Sequence, residues 1–236
     1  MHQRPASGRK TIAVLGGQLS RVWGAEFMAG ILASAKLHDM NVVYFAGGKP
    51  ASLAALEHGG QSYGLYDLIK PGQFDGIVLA ADIGHGPSAD EIKNFCSVFA
   101  PLPIASFAVQ TQGVSSYIYD NSGGMRAVIR HLIEVHGYKR IAFVRGIQGH
   151  LESDQRFNAY KDELKAHNIR FDEQLVVAGD YSPESGRAAV RTLLDERAIR
   201  VHAIAASNDR MAFGVMEALQ QRGIQVPDTV ALTGFD

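Results

Sequence analysis

The chain has 236 residues, with 23 basic and 24 acidic side chains and a formal net charge of −1. This balance argues against nucleic-acid binding by the chain as a whole, because neutralising phosphates needs a basic face. The length allows one large or two small domains with a substantial core. The single cysteine, Cys96, excludes an internal disulfide framework, fits a reducing compartment and is predicted to be buried. With no membrane-length apolar run and no secretory signal, we expect a cytoplasmic protein without membrane contact.

Short strand patterns alternate with helical patterns along the first half of the chain. A β-branched run that ends in two glycines predicts the first strand, and apolar residues at helical spacing predict the helix after it. The predicted strands are 11–16, 41–46, 74–81, 103–108 and 115–119, and the predicted helices are 23–37, about 66–69, and 90–99. The last two strands leave no room for a helix between them, and the pattern then restarts.

The second half of the chain repeats the alternation. Its predicted helices are 123–135, 156–166, 183–196 and 209–221, and its predicted strands are 140–146, 175–178, 203–206 and 229–234. Strands that alternate with helices form parallel sheets with right-handed crossovers. We therefore predict an α/β fold with two lobes, an N-terminal lobe at residues 10–115 and a C-terminal lobe at 116–236, with a ligand cleft between them.

Common enzyme motifs are missing from the sequence, which has no Gly-x-Gly-x-x-Gly, no Walker loop, no Gly-x-Ser-x-Gly elbow and no His-Glu-x-x-His. His131 and His136 are potential metal ligands, but residues five apart on one helix point about 140° apart. We therefore predict that both are solvated residues at a helix end. The chain is expected to have no catalytic residues, no cofactor and no metal site.

Polar and aromatic residues follow the predicted strands. The candidate ligand-binding residues are Gln18, Trp23, Asp82, Arg156, Tyr181, Asn208 and Asp236. Because the carboxyl ends of parallel strands share one edge of a sheet, we expect these side chains to line a cleft. Carboxylates, amides, a guanidinium and flat rings suit a neutral ligand that is rich in hydroxyl groups or planar.

Structural roles are open alternatives for several of these positions. Trp23 could be a core residue, and Arg156 could pair with a nearby acid. Asn121 and Ser182 have side chains typical of helix caps. The common placement of the candidates after strands is the observation that favours a ligand site.

Four segments resemble the effector-binding core of the lactose/purine repressor family: YDNSGGMRAVIRHLIEVHGYKRIAFVRG, SDQRFNAYKDEL, GDYSPESG and SNDRMAFGVMEALQQRGIQVPDTVALTGFD. That family shares its fold with type I periplasmic binding proteins. The resemblance implies two Rossmann-like lobes that close on a small sugar or nucleobase-like effector. It also implies that Arg156, in a Ser-x-x-Arg motif, is the ligand arginine, and that Tyr181 and Trp23 stack on the ligand.

The same resemblance implies that Asn208 and Asp236 face the effector, while Asp209 caps or orients the helix that follows. Repressors of this family begin with a helix-turn-helix, whereas ten residues precede the first predicted strand here. We therefore expect DNA contact only through a helix-turn-helix absent from this chain. Segments such as FAGG and YDLI are similar to repressor-type sensor domains fused to signalling outputs, such as diguanylate cyclases or histidine kinases.

Three functional classes remain at the level of sequence. The first is an effector-sensing domain of a transcriptional or signalling regulator, which senses a sugar or nucleobase-like molecule. The second is a solute-binding receptor for transport, which the missing signal sequence disfavours. The third is an enzyme on a similar framework, which the missing catalytic motifs disfavour. We also expect a homodimer, with the helix at 23–37 and the segment at 63–69 contributing to its interface.

Overall fold

The computed structural model of the chain describes residues 8–17, 22–47, 64–84 and 89–236. These residues form two compact units that divide between Tyr119 and Asp120. The division lies slightly beyond the expected lobe boundary at residue 115, because the strand at 115–117 pairs within the first sheet. Neither unit contains, among the described residues, a helix long and apolar enough to cross a membrane.

The first unit contains a five-stranded sheet in the order β2-β1-β3-β4-β5, with every pair parallel. Its strands are β1 (Thr11–Leu15), β2 (Asn41–Phe45), β3 (Gly76–Leu79), β4 (Ile104–Phe107) and β5 (Ser115–Tyr117), and its described helices are α1 (Val22–Leu37) and α2 (Ala89–Ser97), with 3-10 turns at Gly64–Leu68 and Ala81–Gly84. As predicted, no helix separates β4 from β5. Cys96 is buried as predicted, and burial raises the pKa of its thiol to about 11.

The second unit contains a four-stranded parallel sheet in the order β7-β6-β8-β9. Its strands are β6 (Ile141–Arg145), β7 (Val176–Ala178), β8 (Ala203–Ala206) and β9 (Ala231–Thr233), and its helices are α3 (Asn121–Glu134), α4 (Leu151–Ala166), α5 (Pro183–Val190) and α6 (Asp209–Gln220). Apolar clusters cover both faces of this sheet, so its central strands are buried on both sides. This explains why β6 and β8 are continuous apolar runs in the sequence.

Two helices of the second unit differ from the sequence prediction. The helix predicted at 156–166 begins at Leu151, because Glu152 and Asp154 occupy its first turn, where acidic residues are stabilised by the helix dipole. His150 precedes this helix but makes no side-chain capping bond, so the usual start signal is missing from the sequence. The helix predicted at 183–196 is α-helical only to Val190 and continues as a π-helical turn.

An ionic network joins α3 to α4. The buried carboxylate of Glu163 accepts hydrogen bonds from Nη2 and Nε of Arg130, at 2.9 and 3.3 Å. On the same face, His167 contacts the backbone oxygen of Glu163 through Nδ1 at 2.8 Å and the carboxylate of Glu134 through Nε2 at 3.0 Å. Both contacts are with oxygen acceptors, so they favour the imidazolium form, in which both ring nitrogens donate. The hydrogen bond to Glu134, followed by that to Glu163, raises the pKa of His167.

We predict that this network makes stability depend on pH. A raised pKa in the folded state contributes stability that is fully present below the unfolded pKa of about 6.5 and is lost as pH rises through the folded value. The wild-type chain should therefore lose stability relative to His167→Gln as pH rises from about 6.5 through the raised folded pKa. Urea unfolding of both proteins across this range measures the difference, and parallel pH profiles would contradict the prediction.

Candidate ligand-binding site

The strand order of the second unit creates a crevice at the carboxyl ends of β6 and β8. From β6 the chain moves outward to β7 and then returns to β8 on the other side of β6. In open parallel sheets, such a reversal of strand order separates the two following loops and leaves a ligand crevice. The loop after β6 leads into α4, and the end of β8 leads into α6, so residues at the starts of both helices meet here.

Arg156 lies at this crevice and is 5% exposed. Its Nε donates to Oδ1 of Asn121 at 2.8 Å, and its Nη1 donates to the backbone oxygen of Ser207 at 2.6 Å. The guanidinium carbon lies 4.1 Å from the ring centroid of Phe235, a cation–π contact. Nη2 approaches Glu152 only to 3.8 Å, beyond hydrogen-bonding distance, so this end of the guanidinium is still able to donate to a ligand. The alternative of a paired arginine is thus partly correct, because Arg156 has both structural partners and donor capacity left.

Tyr181 follows β7 and has a strained backbone, with φ at +69°. Such a left-handed conformation is rare for a bulky residue and is found most often where function requires it. Its ring packs directly on Gly146, where an added Cβ would come 2.4 Å from the ring. The phenolic oxygen is hydrogen-bonded to Nδ1 of His150 at 3.2 Å, and burial raises the pKa of Tyr181 to about 12. The phenol is therefore protonated at neutral pH and is held in one position beside Arg156.

Asn208 is the N-cap of α6, since its Oδ1 accepts a hydrogen bond from the backbone N–H of Met211 at 3.0 Å. Of the two roles expected for Asp209, capping or orienting the helix start, capping is wrong, because the capping residue is the extended one before the first turn and Asp209 is already helical. The backbone N–H of Asp209 instead donates to the backbone oxygen of Phe235 at 3.1 Å and to Oδ2 of Asp236 at 3.4 Å. This ties the segment after β9 to the start of α6.

Two carboxyl groups flank the guanidinium and have perturbed acidity. Burial raises the pKa of Glu152, and nearby Asp236 raises it further, while Arg156 acts in the opposite direction. Burial likewise raises the pKa of Asp236, again against the effect of Arg156. Two acceptors, one cation and a phenol in a partly desolvated crevice form a set that complements vicinal hydroxyl groups, which both donate and accept hydrogen bonds.

The structure brings together four of the seven candidate residues. Arg156, Tyr181, Asn208 and Asp236 all lie at the carboxyl edge of the second sheet, where Asn208 Nδ2 also lies 3.5 Å from the backbone oxygen of Tyr181. In the first unit, Asp82 follows β3 within the 3-10 turn and Trp23 is the second residue of α1, but their side chains lie outside the described atoms. Gln18 lies outside the described residues, and ligand contact by any of the seven residues stays a prediction.

The contacts that several residues make around Arg156 were not anticipated from the sequence. Asn121 was predicted to be a helix cap, but Asp120 caps α3 and Asn121 is buried against Arg156. Ser182 does cap α5, as predicted. Glu152 lies four residues before Arg156 on α4, and side chains at this spacing on a helix are neighbours. The sequence prediction missed this pair because it began the helix at residue 156 and not at Leu151. No local pattern in the sequence indicates the roles of Ser207 and Phe235.

Comparison with known proteins shows that the sequence is similar to a periplasmic binding protein-like domain and to HTH-type transcriptional regulators. Residues 129–236 match the periplasmic binding protein-like domain family. Escherichia coli HTH-type transcriptional regulator AscG is 35% identical over 150 residues, which are 63% of this chain and 44% of AscG. Thermobifida fusca HTH-type transcriptional regulator CelR is 39% identical over 128 residues, which are 54% of this chain and 37% of CelR. The chain thus spans less than half the length of these two relatives.

Solved structures of an AscG repressor and of a CelR regulator are similar to this fold. The crystal structure of the transcriptional repressor AscG superposes with a TM-score of 0.76 at 28% identity, covering 96% of this chain and 79% of that one. The complex of CelR with cellobiose superposes with a TM-score of 0.73 at 26% identity, covering 96% of this chain and 68% of that one.

We predict that Arg156 stabilises the second unit as well as its site. Arg156→Ala leaves the buried oxygens of Asn121 and Ser207 without their donor, which should lower the free energy of unfolding by about 2–3 kcal/mol. The exposed Arg210, two residues into α6, is the matched control, and Arg210→Ala should change stability by less than about 0.5 kcal/mol. Chemical denaturation measures both, and equal stability of the two variants would show that the contacts of Arg156 contribute nothing to the fold.

Proposed function

We propose that this chain, an effector-binding domain of the lactose/purine (LacI-type) repressor family, senses a small sugar. The observation that carries the proposal is the buried Arg156 guanidinium with a donor end beside Glu152 and Asp236. Sugars present adjacent hydroxyl groups, and a mixed set of donors and acceptors fixed in one place recognises them better than a single charge does. The binding of cellobiose by the similar regulator CelR supports a sugar over a nucleobase.

Tyr181 is proposed to cover one face of the sugar ring. Aromatic rings pack on the apolar faces of ligands, and this ring is already held by Gly146 and His150. A site whose side chains are fixed before the ligand arrives loses less conformational entropy on binding.

We propose for the full-length protein the role of a transcriptional regulator whose DNA affinity responds to the sugar. AscG and CelR support this proposal, since both are HTH-type transcriptional regulators. In this arrangement the chain contacts DNA only through a helix-turn-helix outside it. The full reading frame of the gene would show whether the output domain binds DNA or is a signalling module.

The sugar proposal is tested by a thermal-shift and calorimetric screen of mono- and disaccharides, including cellobiose, beside nucleosides and nucleobases. A true effector at 100 times its dissociation constant should stabilise the chain by about 2.7 kcal/mol. Binding by nucleobases and by no sugar would overturn the sugar assignment. The single tryptophan, Trp23, offers a second readout. A saturable change in its fluorescence emission on addition of the sugar would support the prediction that Trp23 stacks on the ligand.

Tyr181→Ala should weaken binding of that sugar by about tenfold, since an aromatic contact contributes on the order of 1 kcal/mol beyond area effects. Tyr138→Ala is the control, because Tyr138 is a half-buried tyrosine of the same unit that contacts His136 and His202 instead. Equal affinities of the two variants would remove Tyr181 from the site.

A homodimer is a further proposal for the assembly. On α1, the side chains of Leu32 and Leu37 are 53% and 81% exposed, and on the 3-10 turn before β3 that of Leu68 is 62% exposed. Exposed apolar side chains that form a contiguous patch mark protein interaction sites, and we propose these leucines as part of one. Light scattering of Leu32→Glu/Leu68→Glu should give a monomer mass where the wild-type chain gives a dimer mass, and a wild-type monomer would contradict the proposal.

A further inference from the structure

His131 and His136 are close together at the end of α3. The helix ends at Glu134, and Gly137 then takes a left-handed conformation with φ at +68°. The N–H groups of Gly137 and Tyr138 close the helix end on the carbonyls of Ile133 and Leu132, at 3.0 and 3.1 Å. The prediction that the two histidines point about 140° apart is therefore wrong, because it treats both as helical.

The two imidazoles meet through their Nε2 atoms, which lie 3.2 Å apart. Without a metal, this is a hydrogen bond in which one neutral ring donates and the other accepts. Two imidazole nitrogens bound to one tetrahedral ion at about 2.0–2.1 Å lie about 3.3 Å from each other. The spacing of the two nitrogens therefore already fits a chelate, and binding requires only that each ring turn so that its lone pair points at the ion.

The surroundings favour a cation at this position. The ring of His136 stacks on Tyr138 with a centroid distance of 5.2 Å and an interplanar angle of 19°, which restricts its rotation. Both histidines are exposed, so an ion reaches them from solvent. They also lie at the carboxyl end of a helix of 14 residues, where the helix dipole stabilises positive charge.

The rest of the coordination shell is open. Nδ1 of nearby His202 lies 3.2 and 3.3 Å from the backbone nitrogens of Lys139 and Arg140 and accepts from them, so this nitrogen is already used. Within residues 8–17, 22–47, 64–84 and 89–236, no group of three or more His, Cys, Asp or Glu side chains is placed to hold a metal. An ion bound here would keep positions for water or for a donor from another molecule.

We propose that His131 and His136 form a surface chelate for a divalent transition-metal ion of the Zn²⁺ or Ni²⁺ type. Two imidazoles select such ions over Mg²⁺ and Ca²⁺, which prefer oxygen ligands. The chelate is separate from the Arg156 crevice, because Asn121 and His131 lie in the first and last turns of α3, on the order of 15 Å apart along its axis. It does not depend on the proposed sugar-sensing role.

Calorimetric titration of the untagged chain with Zn²⁺, Ni²⁺ and Mg²⁺ tests the proposal. Each of His131→Gln and His136→Gln should weaken Ni²⁺ binding at least tenfold, since losing one of two linked ligands removes the gain of about 10² or more from effective concentration. His38→Gln, at an exposed position after α1, is the matched control and should bind Ni²⁺ like the wild type. Mg²⁺ should not bind at these residues.

A second measurement uses the wild-type chain alone and is independent of any effect of substitution on folding. In ¹⁵N spectra of the imidazoles, Zn²⁺ should shift the Nε2 resonances of two rings together, because both nitrogens bind the same ion. Unchanged Ni²⁺ affinity in both glutamine variants, or Zn²⁺ shifts confined to rings other than these two, would show that the pair is only a hydrogen bond.

Discussion

The buried guanidinium of Arg156 is the interaction on which the polar architecture of the second unit depends. A charge removed from water is costly unless it is hydrogen-bonded and paired. The fold meets this requirement with the side chain of Asn121, the backbone oxygen of Ser207 and the ring of Phe235. These partners come from α3, the end of β8 and the segment after β9. One side chain of α4 therefore links three other parts of the unit and fixes their relative positions at the crevice.

The backbone around this guanidinium is arranged to hold side chains in place. Tyr181 has a left-handed conformation, and its ring packs on Gly146, where any side chain would collide with it. Asn208 adopts an extended conformation and uses its side chain to cap α6. The left-handed backbone of Tyr181 costs roughly 1–3 kcal/mol and persists only where packing enforces it. These contacts fix where Tyr181 and Asn208 stand at the crevice.

The second unit carries different chemistry at the two ends of α3. At the start of this helix, Asn121 contacts Arg156 in a buried, partly desolvated environment. At its end, His131 and His136 form an exposed pair whose Nε2 atoms lie 3.2 Å apart. Between them, Arg130 of α3 binds the buried Glu163 of α4 and holds the two helices together. Packing that positions the crevice therefore also positions the histidine pair, although the two have no side chain in common.

The sequence by itself determined the alternation of strands and helices, the two-lobed α/β organisation and the position of polar residues after strands. These features follow from local periodicity, which each segment displays without its neighbours. The tertiary structure alone decided which residues meet. Asn121 accepts a hydrogen bond from Arg156 and does not cap α3, and Phe235 packs against the guanidinium. His136 contacts His131 because the helix ends between them. Such contacts join residues through space, and their geometry depends on strand order and on where helices begin and end, which local patterns specify only within a few residues.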